Sequence, residues 1–361
     1  MSDLPVLFEE RDAAGGCRVG FARLNRPKQL NALNLAMCMQ LLERLRSWAS
    51  DEGIAAVVLD GAGDKGLCAG GDVAEVIRHV RAGGPERFVY GDAFFAVEYQ
   101  LDLMLHAYPK PLLSYSHGVC MGGGVGLTVG ASHRIVADRS RIAMPEIHIG
   151  LFPDVGGGFF LNRVPGGAGA VMALTGLAID ESDALFAGLA DWHVPLQARD
   201  ALYDALLALD WSGDAARDRA ALTRLCLAQH RRFEAGLPES KLRRHFDTIR
   251  RVALQPDVVG VRDALLAAAA DDAYFRAPAD SLADGSPTAA HVTFEYLKRC
   301  RRRSLREVLE LDLVLARRFQ RGHDFPEGVR ALLIDKDRAP KWSPARFEDV
   351  PAALVDAHFE A

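Results

Sequence analysis

The chain lacks the features that define several large classes of protein. None of its six cysteines belongs to a Cys-x-x-Cys pair or stands near a His-x-x-x-His pair, so a disulfide framework or a zinc site is not expected. A net charge of −5 provides no general attraction to nucleic acid or to an anionic membrane. The N-terminus, MSDLPVLFEERD, has neither the apolar core of a signal peptide nor the Arg/Ser bias of a transit peptide. We therefore expect a cytoplasmic protein.

The 361 residues have the composition of an ordinary globular protein, with 49% apolar and 25% charged residues. One uncharged stretch, residues 111–133, is long enough to cross a bilayer. It contains six glycines and several polar side chains, which argues against a membrane helix. No membrane association is expected.

The first half of the chain alternates β-rich runs with helical patterns. The runs that read as strands are Cys17–Leu24, Ala55–Leu59, Pro111–Val119 and Arg134–Ala137. A first helix is predicted after the N-cap Asn34, and a second region of helix runs from Pro85 to about Ala107. The apolar stripe expected for the first helix is Leu35, Met39, Leu42, Leu45 and Trp48. This alternation is typical of βαβ crossovers and predicts an α/β structure up to about residue 165, followed by mainly helical chain.

Two glycine segments could place backbone N–H groups in a cleft. The first is Leu67–Asp72, which on its own is better interpreted as a tight turn before a helix capped by Asp72. The second is Gly122–Gly124, between a predicted strand and a predicted helix. Unpaired N–H groups at such a helix start can bind phosphate or a developing oxyanion, but close helix packing explains these glycines equally well.

A third segment, residues 144–158, holds two carboxylates in an apolar stretch rich in proline and glycine. Burial raises the pKa of a carboxyl group, and two close carboxylates can be driven into different roles. Glu146 and Asp154 are therefore candidate catalytic residues, against the alternatives of a surface glutamate and a helix-capping aspartate. His148 in the same stretch is expected to be structural.

A basic run, residues 298–303 with Arg306 following, could contact the phosphates of RNA or of a nucleotide-bearing ligand. No aromatic residues alternate with it, as they would in a surface that stacks bases. A solvated helix face is the better interpretation.

Taken together, these segments resemble the crotonase (enoyl-CoA hydratase/isomerase) superfamily. The motifs that carry the resemblance are Leu24–Pro27, Asn31–Leu33, Cys68–Asp72 and Gly122–Gly124. The resemblance implies an α/β fold of the crotonase type, a spiral of ββα repeats followed by a mainly helical C-terminal region. It also implies an acyl-CoA-binding core over residues 1–195, with the helical residues 196–361 packed on that core.

The resemblance assigns roles within these motifs. The backbone N–H groups of Gly71 and Gly123 would hold the oxygen of a thioester carbonyl. The residues that would line the coenzyme A pocket are Arg26, Lys28, Ala69 and Asp72.

The residue at position 126 indicates which branch of the superfamily the chain resembles. Crotonase-type hydratases usually carry a second glutamate just after the glycine cluster, and this chain has Gly126 there. Glu146 and Asp154 instead resemble the pair of the 3-hydroxyisobutyryl-CoA hydrolase branch, the thioesterases of valine breakdown. Further motifs of that branch are Phe94-Phe95, Glu98-Tyr99, Ser286–Thr288, Arg321–Phe325, Glu327–Arg330, Asp335–Asp337 and Pro340–Trp342.

This branch implies hydrolysis of a short-chain 3-hydroxyacyl-CoA thioester such as 3-hydroxyisobutyryl-CoA. Glu146 would attack the carbonyl through a mixed anhydride or by activating water, and Asp154 would orient the nucleophile or the water. Glu98 would contact the hydroxyl end of the substrate. No cofactor and no metal are implied, because coenzyme A is part of the substrate. The physiological acyl group and the formation of a homo-oligomer stay open.

Two alternatives remain. One is an enoyl-CoA hydratase or isomerase of the same superfamily, because a single carboxylate is enough for some isomerisations. The other is an RNA-binding protein of the crotonase fold that uses the basic run at 298–306. The net charge argues against this second alternative, and no nucleic-acid partner is expected.

Overall fold

A computed structural model describes residues 4–360, which form two compact units. The first unit contains the described residues up to Gly71, together with Gln100–Ile142 and Ile179–Ser240. The second contains Asp72–Tyr99, Ala143–Ala178 and the described residues from Lys241 onward. The domain boundary near residue 195 that the sequence suggests stays a prediction.

Nine strands are present in the described residues. They are β1 (Val6–Asp12), β2 (Arg18–Leu24), β3 (Ile54–Gly61), β4 (Gly66–Cys68), β5 (Leu112–Ser116), β6 (Val119–Met121), β7 (His133–Val136), β8 (Arg141–Ala143) and β9 (Trp192–His193). A six-stranded sheet has the order β1-β2-β3-β5-β7-β9, and a three-stranded sheet has the order β4-β6-β8. In the larger sheet β1 runs antiparallel to β2, and every later pair is parallel.

Seventeen α-helices are present in the described residues. They are α1 (Leu35–Ser50), α2 (Val73–Ala82), α3 (Val89–His106), α4 (Gly123–Val129), α5 (Gly157–Phe160), α6 (Ala168–Thr175), α7 (Glu181–Ala187), α8 (Arg199–Leu207), α9 (Ala215–Phe233), α10 (Lys241–Arg244), α11 (Phe246–Ala253), α12 (Val258–Asp271), α13 (Arg276–Asp284), α14 (Pro287–Cys300), α15 (Leu305–Arg321), α16 (Asp324–Val329) and α17 (Ala352–Ala357). Twice along the chain a strand of the larger sheet, a strand of the smaller sheet and a helix follow one another, as β3-β4-α2 and β5-β6-α4.

The core of the first unit explains why its strands are so apolar. All eight residues of β3 are buried, as expected for a central parallel strand that is covered on both faces. Tyr203 and Leu206 of α8 and Leu222 of α9 pack in the same cluster as the side chains of the larger sheet. Burial of this cluster fixes the sheet, and the loops after its strands carry the glycine motifs.

The predicted cap of α1 is confirmed, but one residue of its stripe is wrong. The Asn34 side chain accepts a hydrogen bond from the backbone N–H of Met37. Met39 is 55% exposed, whereas Met37 and Leu41 are buried. The helix is rotated so that positions 37, 41 and 45 face inward, a spacing that the apolar pattern allows equally well.

The single strand predicted over Pro111–Val119 is two strands, β5 and β6, in different sheets. The chain turns between them at Gly118, whose φ is +51°. A side chain there would place its Cβ 2.3 Å from the carbonyl oxygen of Lys65, so only glycine fits.

The uncharged stretch at residues 111–133 is divided among β5, β6, α4 and the first residue of β7. Nowhere in residues 4–360 does a helix combine the length and the apolar character that crossing a bilayer requires.

Candidate active site

The glycine motifs of the first unit bring two backbone segments close together. The chain leaves β4 through Gly70, which has a φ of +103°, and a Cβ on Gly70 would lie 3.8 Å from the backbone nitrogen of Gly123. At the start of α4, a Cβ on Gly124 would lie 2.4 Å from the carbonyl oxygen of Cys68. These glycines are therefore needed because the two segments approach each other closely.

The two backbone N–H groups predicted to stabilise an oxyanion are available to a ligand. Within the described residues, the N–H groups of Gly71 and Gly123 donate to no protein acceptor. Gly123 is also the first residue of α4, where the helix dipole adds positive potential. A carbonyl oxygen that gains negative charge is the kind of group such donors stabilise.

Arg26 and Ala69, two of the residues predicted to line the coenzyme A pocket, lie on segments that are joined by a hydrogen bond. The Ala69 N–H donates to the Leu30 carbonyl at 3.0 Å, which joins the segment after β4 to the loop that begins at Arg26. The Arg26 guanidinium donates to the Ala32 carbonyl at 2.6 Å. Lys28 is exposed on the same loop.

Buried Asn31 holds that loop in place. Its side-chain oxygen accepts from the Arg26 N–H, and its amide nitrogen donates to the carbonyls of Ala62 and Gly66 at 3.0 Å. Asn31 itself has a φ of +56°, a conformation that asparagine tolerates better than most side chains. Asn31 of the Asn31–Leu33 motif therefore has a structural role.

Asp72, the fourth predicted coenzyme A residue, belongs to the second unit. It occupies the N-cap position of α2, but its side chain does not make a capping hydrogen bond. The interpretation of Asp72 as a helix cap is thus right for the backbone and wrong for the carboxylate.

The turn that carries Glu146 lies in the second unit. Residues Glu146–Ile149 form one 3₁₀ turn, which ends at Gly150 in the left-handed conformation. Glu146 is only 5% exposed, so the alternative of a surface glutamate is wrong. Its Oε2 atom has no hydrogen-bond partner in the described part of the chain, which leaves that oxygen available for chemistry.

Motifs from the C-terminal part of the sequence hold this turn. The Ser286 N–H donates to the Ile147 carbonyl at 3.2 Å, and the Ser286 hydroxyl donates to Asp324 at 2.6 Å. A Cβ on Gly150 would lie 2.4 Å from the Asp324 carbonyl oxygen, so the backbones touch there. The Ser286–Thr288 and Arg321–Phe325 motifs therefore support the backbone of this turn, the first at Ile147 and the second at Gly150.

Asp154 lies on a second tight turn of the same unit. Val155 and Gly156 both have positive φ, +51° and +82°. The cap of α5 is Gly156, so the alternative of a capping role for the Asp154 side chain is wrong. Its Oδ2 atom accepts a hydrogen bond from the Tyr99 hydroxyl at 2.7 Å.

Aromatic rings make the surroundings of this turn apolar. The ring of Phe152 lies edge-on to Tyr296, with centroids 5.1 Å apart, and stacks on Phe319 at 5.6 Å. Phe95 contacts the ring of Tyr99 at 5.9 Å. Because such an environment solvates charge poorly, it disfavours the ionised form of a carboxyl group.

The two carboxylates are electrostatically linked. Burial, assisted by the negative charge of Asp154, raises the pKa of Glu146 well above its ordinary value of 4.5. Burial also raises the pKa of Asp154, to about 6, although the hydrogen bond from Tyr99 opposes the rise. Both carboxyl groups therefore hold their protons to higher pH than exposed ones do, and the donor at Tyr99 favours the ionised form of Asp154.

Glu98, the residue predicted to contact the substrate hydroxyl, is 3% exposed on α3. It directly precedes Tyr99, and its charge contributes to the raised pKa of the Tyr99 hydroxyl, after the larger effects of burial, Asp154 and Asp312. Glu98, Glu146 and Asp154 all belong to the second unit.

Sequence reasoning missed two polar residues of this region, Tyr99 as a partner of Asp154 and Asp312 on α15. Asp312 is fully buried and accepts hydrogen bonds from the Gly156 N–H and the Tyr296 hydroxyl. The helical spacing of apolar residues in α15 contained the signal, because Asp312 falls on the face that also holds Val308 and Leu315.

The Nε2 atom of His148 lies 2.6 Å from the Ser281 hydroxyl, which agrees with the prediction of a structural histidine. The prediction that the basic run is a solvated helix face is right for the exposure and wrong for the helix. Lys298 at the end of α14 and Arg306 on α15 are exposed, and so are Arg301 and Arg302, but these two lie in the turn between the helices.

The comparisons with known proteins agree with these features. A sequence profile described as enoyl-CoA hydratase/isomerase matches residues 19–359. Two solved structures match over 99% of this chain: a carnitinyl-CoA dehydratase from Mycobacterium thermoresistibile and an enoyl-CoA hydratase from Rhodobacter sphaeroides 2.4.1. The first has 34% identity, a TM-score of 0.86 and 96% of its own length covered; the second has 36%, 0.85 and 97%. The fold is therefore the α/β crotonase fold with a mainly helical C-terminal region, as predicted.

The chain belongs to the enoyl-CoA hydratase/isomerase family, the crotonase superfamily. Within that family it is similar along its length to proteins called 3-hydroxyisobutyryl-CoA hydrolase. The human mitochondrial protein of that name is 35% identical over 360 residues, which cover 99% of this chain and 89% of the human protein. The Arabidopsis thaliana protein 3-hydroxyisobutyryl-CoA hydrolase 1 is 34% identical over 364 residues, with 99% and 92% covered.

The raised pKa of Glu146 predicts a pH-dependent stability effect. Because the folded state retains this proton to higher pH than the unfolded chain, stability falls as pH rises from about 4.5 to the folded pKa. We expect Glu146→Gln to be more stable than the wild type, by about 1.4 kcal/mol for each pKa unit of the shift. The difference should be small at acidic pH and reach a plateau above the folded pKa.

Urea unfolding of both proteins across the pH range measures this difference. Glu43→Gln, at an exposed position of α1, is the matched control for the substitution. A stability difference between Glu146→Gln and wild type that does not change with pH would contradict the account.

Proposed function

We propose that the chain hydrolyses the thioester of a short-chain 3-hydroxyacyl-CoA, with 3-hydroxyisobutyryl-CoA as substrate, and releases the hydroxy acid and coenzyme A. The observation that carries this proposal is the buried, electrostatically linked pair Glu146 and Asp154, in a chain that has Gly126 where hydratases usually carry their second glutamate. The similarity to hydrolases of that name over 99% of the chain supports it.

The unpaired N–H groups of Gly71 and Gly123 suit the oxyanion of this reaction. In the proposed mechanism they polarise the thioester carbonyl and stabilise the negative oxygen that forms on attack. The loss of one such donor typically raises the barrier by about 3–4 kcal/mol. Arg26, Lys28, Ala69 and Asp72 stay proposed contacts of the coenzyme A part of the substrate.

The free Oε2 atom of Glu146 suits it for the attack. In one route the carboxylate bonds to the carbonyl carbon, the C–S bond breaks, and coenzyme A leaves as a thiolate that takes up a proton. Water then hydrolyses the mixed anhydride and restores Glu146. In the other route Glu146 takes a proton from water, and the hydroxide bonds to the carbonyl carbon. The C–S bond then breaks, and coenzyme A leaves as a thiolate that takes up the proton held by Glu146. Asp154, held by Tyr99, orients the attacking group, and Glu98 contacts the substrate hydroxyl.

No cofactor enters either route, since coenzyme A is part of the substrate. We also propose a role in valine breakdown and a cytoplasmic location. The human relative, in contrast, is described as mitochondrial. The proposal includes no nucleic-acid or membrane partner and leaves the oligomeric state open.

Hydration or isomerisation of an enoyl-CoA is the second candidate, because the two solved relatives are described as a dehydratase and a hydratase. Such a reaction changes the conjugated enoyl thioester without releasing a thiol. Gly126 weighs against it, since a buried glycine supplies no second carboxylate.

The first experiment measures thiol release from 3-hydroxyisobutyryl-CoA with a thiol-reactive dye, with crotonyl-CoA in parallel. We expect thiol release by the wild type and by the control Glu43→Gln. Glu146→Gln should still bind the thioester but lose at least about a hundredfold in kcat, because the attacking or basic group is gone. Hydration of crotonyl-CoA without thiol release would make the second candidate correct. Near-normal turnover by Glu146→Gln would overturn the catalytic assignment.

The electrostatic link between the carboxylates predicts a shift in the pH profile of hydrolysis. If Glu146 must be ionised, kcat rises with pH through its raised pKa. Asp154→Asn removes a neighbouring negative charge, which makes Glu146 easier to ionise and moves the rise to lower pH. The plateau kcat should also fall, because the orienting carboxylate is gone.

Initial rates of thiol release across the pH range measure both effects. A rise in kcat that occurs at the same pH or at a higher pH in Asp154→Asn would contradict the electrostatic link between the two carboxylates. A wild-type rate that falls as Glu146 ionises would assign it the role of an acid.

A further inference from the structure

One buried carboxylate of the second unit takes no part in the proposed mechanism. Asp312 lies in the middle of α15 with no exposed surface. Its Oδ2 atom accepts a hydrogen bond from the Gly156 N–H at 2.8 Å, and its Oδ1 atom accepts one from the Tyr296 hydroxyl at 2.5 Å. Tyr296 in turn accepts from the Gly158 N–H at 2.7 Å. Asp312 thus accepts a hydrogen bond from one backbone N–H group of the turn that begins at Asp154. Through Tyr296 it also supports the acceptor of a second one.

This turn needs external support. Val155 has a φ of +51°, a conformation that is unfavourable for a β-branched residue, and Gly156 follows at +82°. The Gly156 N–H and the Gly158 N–H, which would be costly to bury unpaired, are directed to Asp312 and Tyr296. The strained backbone after Asp154 is therefore stabilised from α15 and α14.

Asp312 is also close enough to Asp154 for their charges to interact. Burial raises the pKa of Asp312 well above its ordinary value, the hydrogen bonds from Tyr296 and Gly156 oppose the rise, and the charge of Asp154 adds to it. The other titratable groups that interact with Asp312 are Tyr99 from α3 and Cys300 from α14. Within the described residues, Asp312 forms no ion pair with a basic side chain.

We propose that Asp312 is a positioning residue for the reaction: it fixes the backbone that carries Asp154. The inference rests on the proposed function, since it names a residue that acts through Asp154. A merely structural aspartate would stabilise the fold without a specific effect on kcat. The two roles therefore differ in a measurable way.

The test compares Asp312→Asn with a matched control, Asp218→Asn. Asparagine keeps the size of the side chain and an oxygen for the Gly156 N–H, but it has no second acceptor oxygen for the Tyr296 hydroxyl. Asp218 is likewise buried and accepts from the Ser212 N–H, the Ser212 hydroxyl and the Gly213 N–H. It lies at the start of α9 in the first unit, outside the proposed site.

We expect Asp312→Asn to lower kcat for thiol release by roughly 10–100-fold with little change in KM, because orientation is lost and not binding. Asp218→Asn should lower the unfolding temperature without lowering kcat. An unchanged kcat in folded Asp312→Asn would overturn the proposal, and so would an equal loss of kcat in the control.

A second variant covers the case in which Asp312→Asn does not fold. Tyr296→Phe removes the hydroxyl that donates to Asp312 and accepts from Gly158, while Asp312 itself stays in place. We expect a lower kcat, because the support of the turn is weakened. Wild-type kcat in Tyr296→Phe would show that this support is not needed, and would overturn the positioning role.

A hydrogen-exchange measurement separates this inference from the proposed function. The exchange rates of the Gly156 and Gly158 amide hydrogens report the support of the turn without substrate. In Asp312→Asn both amide hydrogens should exchange faster than in the wild type. A wild type that releases no thiol would refute the proposed function alone, whereas unchanged exchange at these two amides would refute the positioning role of Asp312.

Discussion

The burial of two carboxyl groups of like charge, Glu146 and Asp154, is the constraint on which the second unit depends. Neither forms an ion pair with a basic side chain in the described residues, so ionisation of both is opposed by desolvation and by repulsion. Tyr99 partly relieves this at Asp154 and nothing comparable holds the Oε2 atom of Glu146. The two groups consequently differ in proton affinity, which allows them to play different parts in one reaction.

Such a pair costs stability, and the surrounding structure compensates for it. Two tight turns present the carboxylates, one closed by Gly150 and the other containing Val155 and Gly156 with positive φ. Elements far along the chain hold these turns: Ser286 the first, and Asp312 the second. The long C-terminal region therefore contributes to the site by fixing the backbone beneath it, a common arrangement where strained residues serve function.

Much of the site could be predicted because its residues lie close together in sequence. Glu146 and Asp154 stand out in one apolar stretch, and the glycine segments owe their composition to close backbone approach, as at Gly124. Asp312 and Tyr99 could not be placed, because their roles depend on contacts between helices distant in sequence. The rotation of α1 that exposes Met39, and the division of one predicted strand at Gly118, likewise follow from tertiary packing and not from local pattern.

The central claim is that burial and the charge of Asp154 make Glu146 hold its proton to higher pH than an exposed glutamate, and infrared difference spectroscopy tests it directly. A protonated carboxylic acid and a carboxylate absorb at different frequencies, so the wild-type spectrum minus that of Glu146→Gln isolates the state of Glu146. The account predicts a protonated carboxyl band that persists well above pH 4.5 and disappears at lower pH in Asp154→Asn. A band that disappears near pH 4.5, or at the same pH in both proteins, would contradict it.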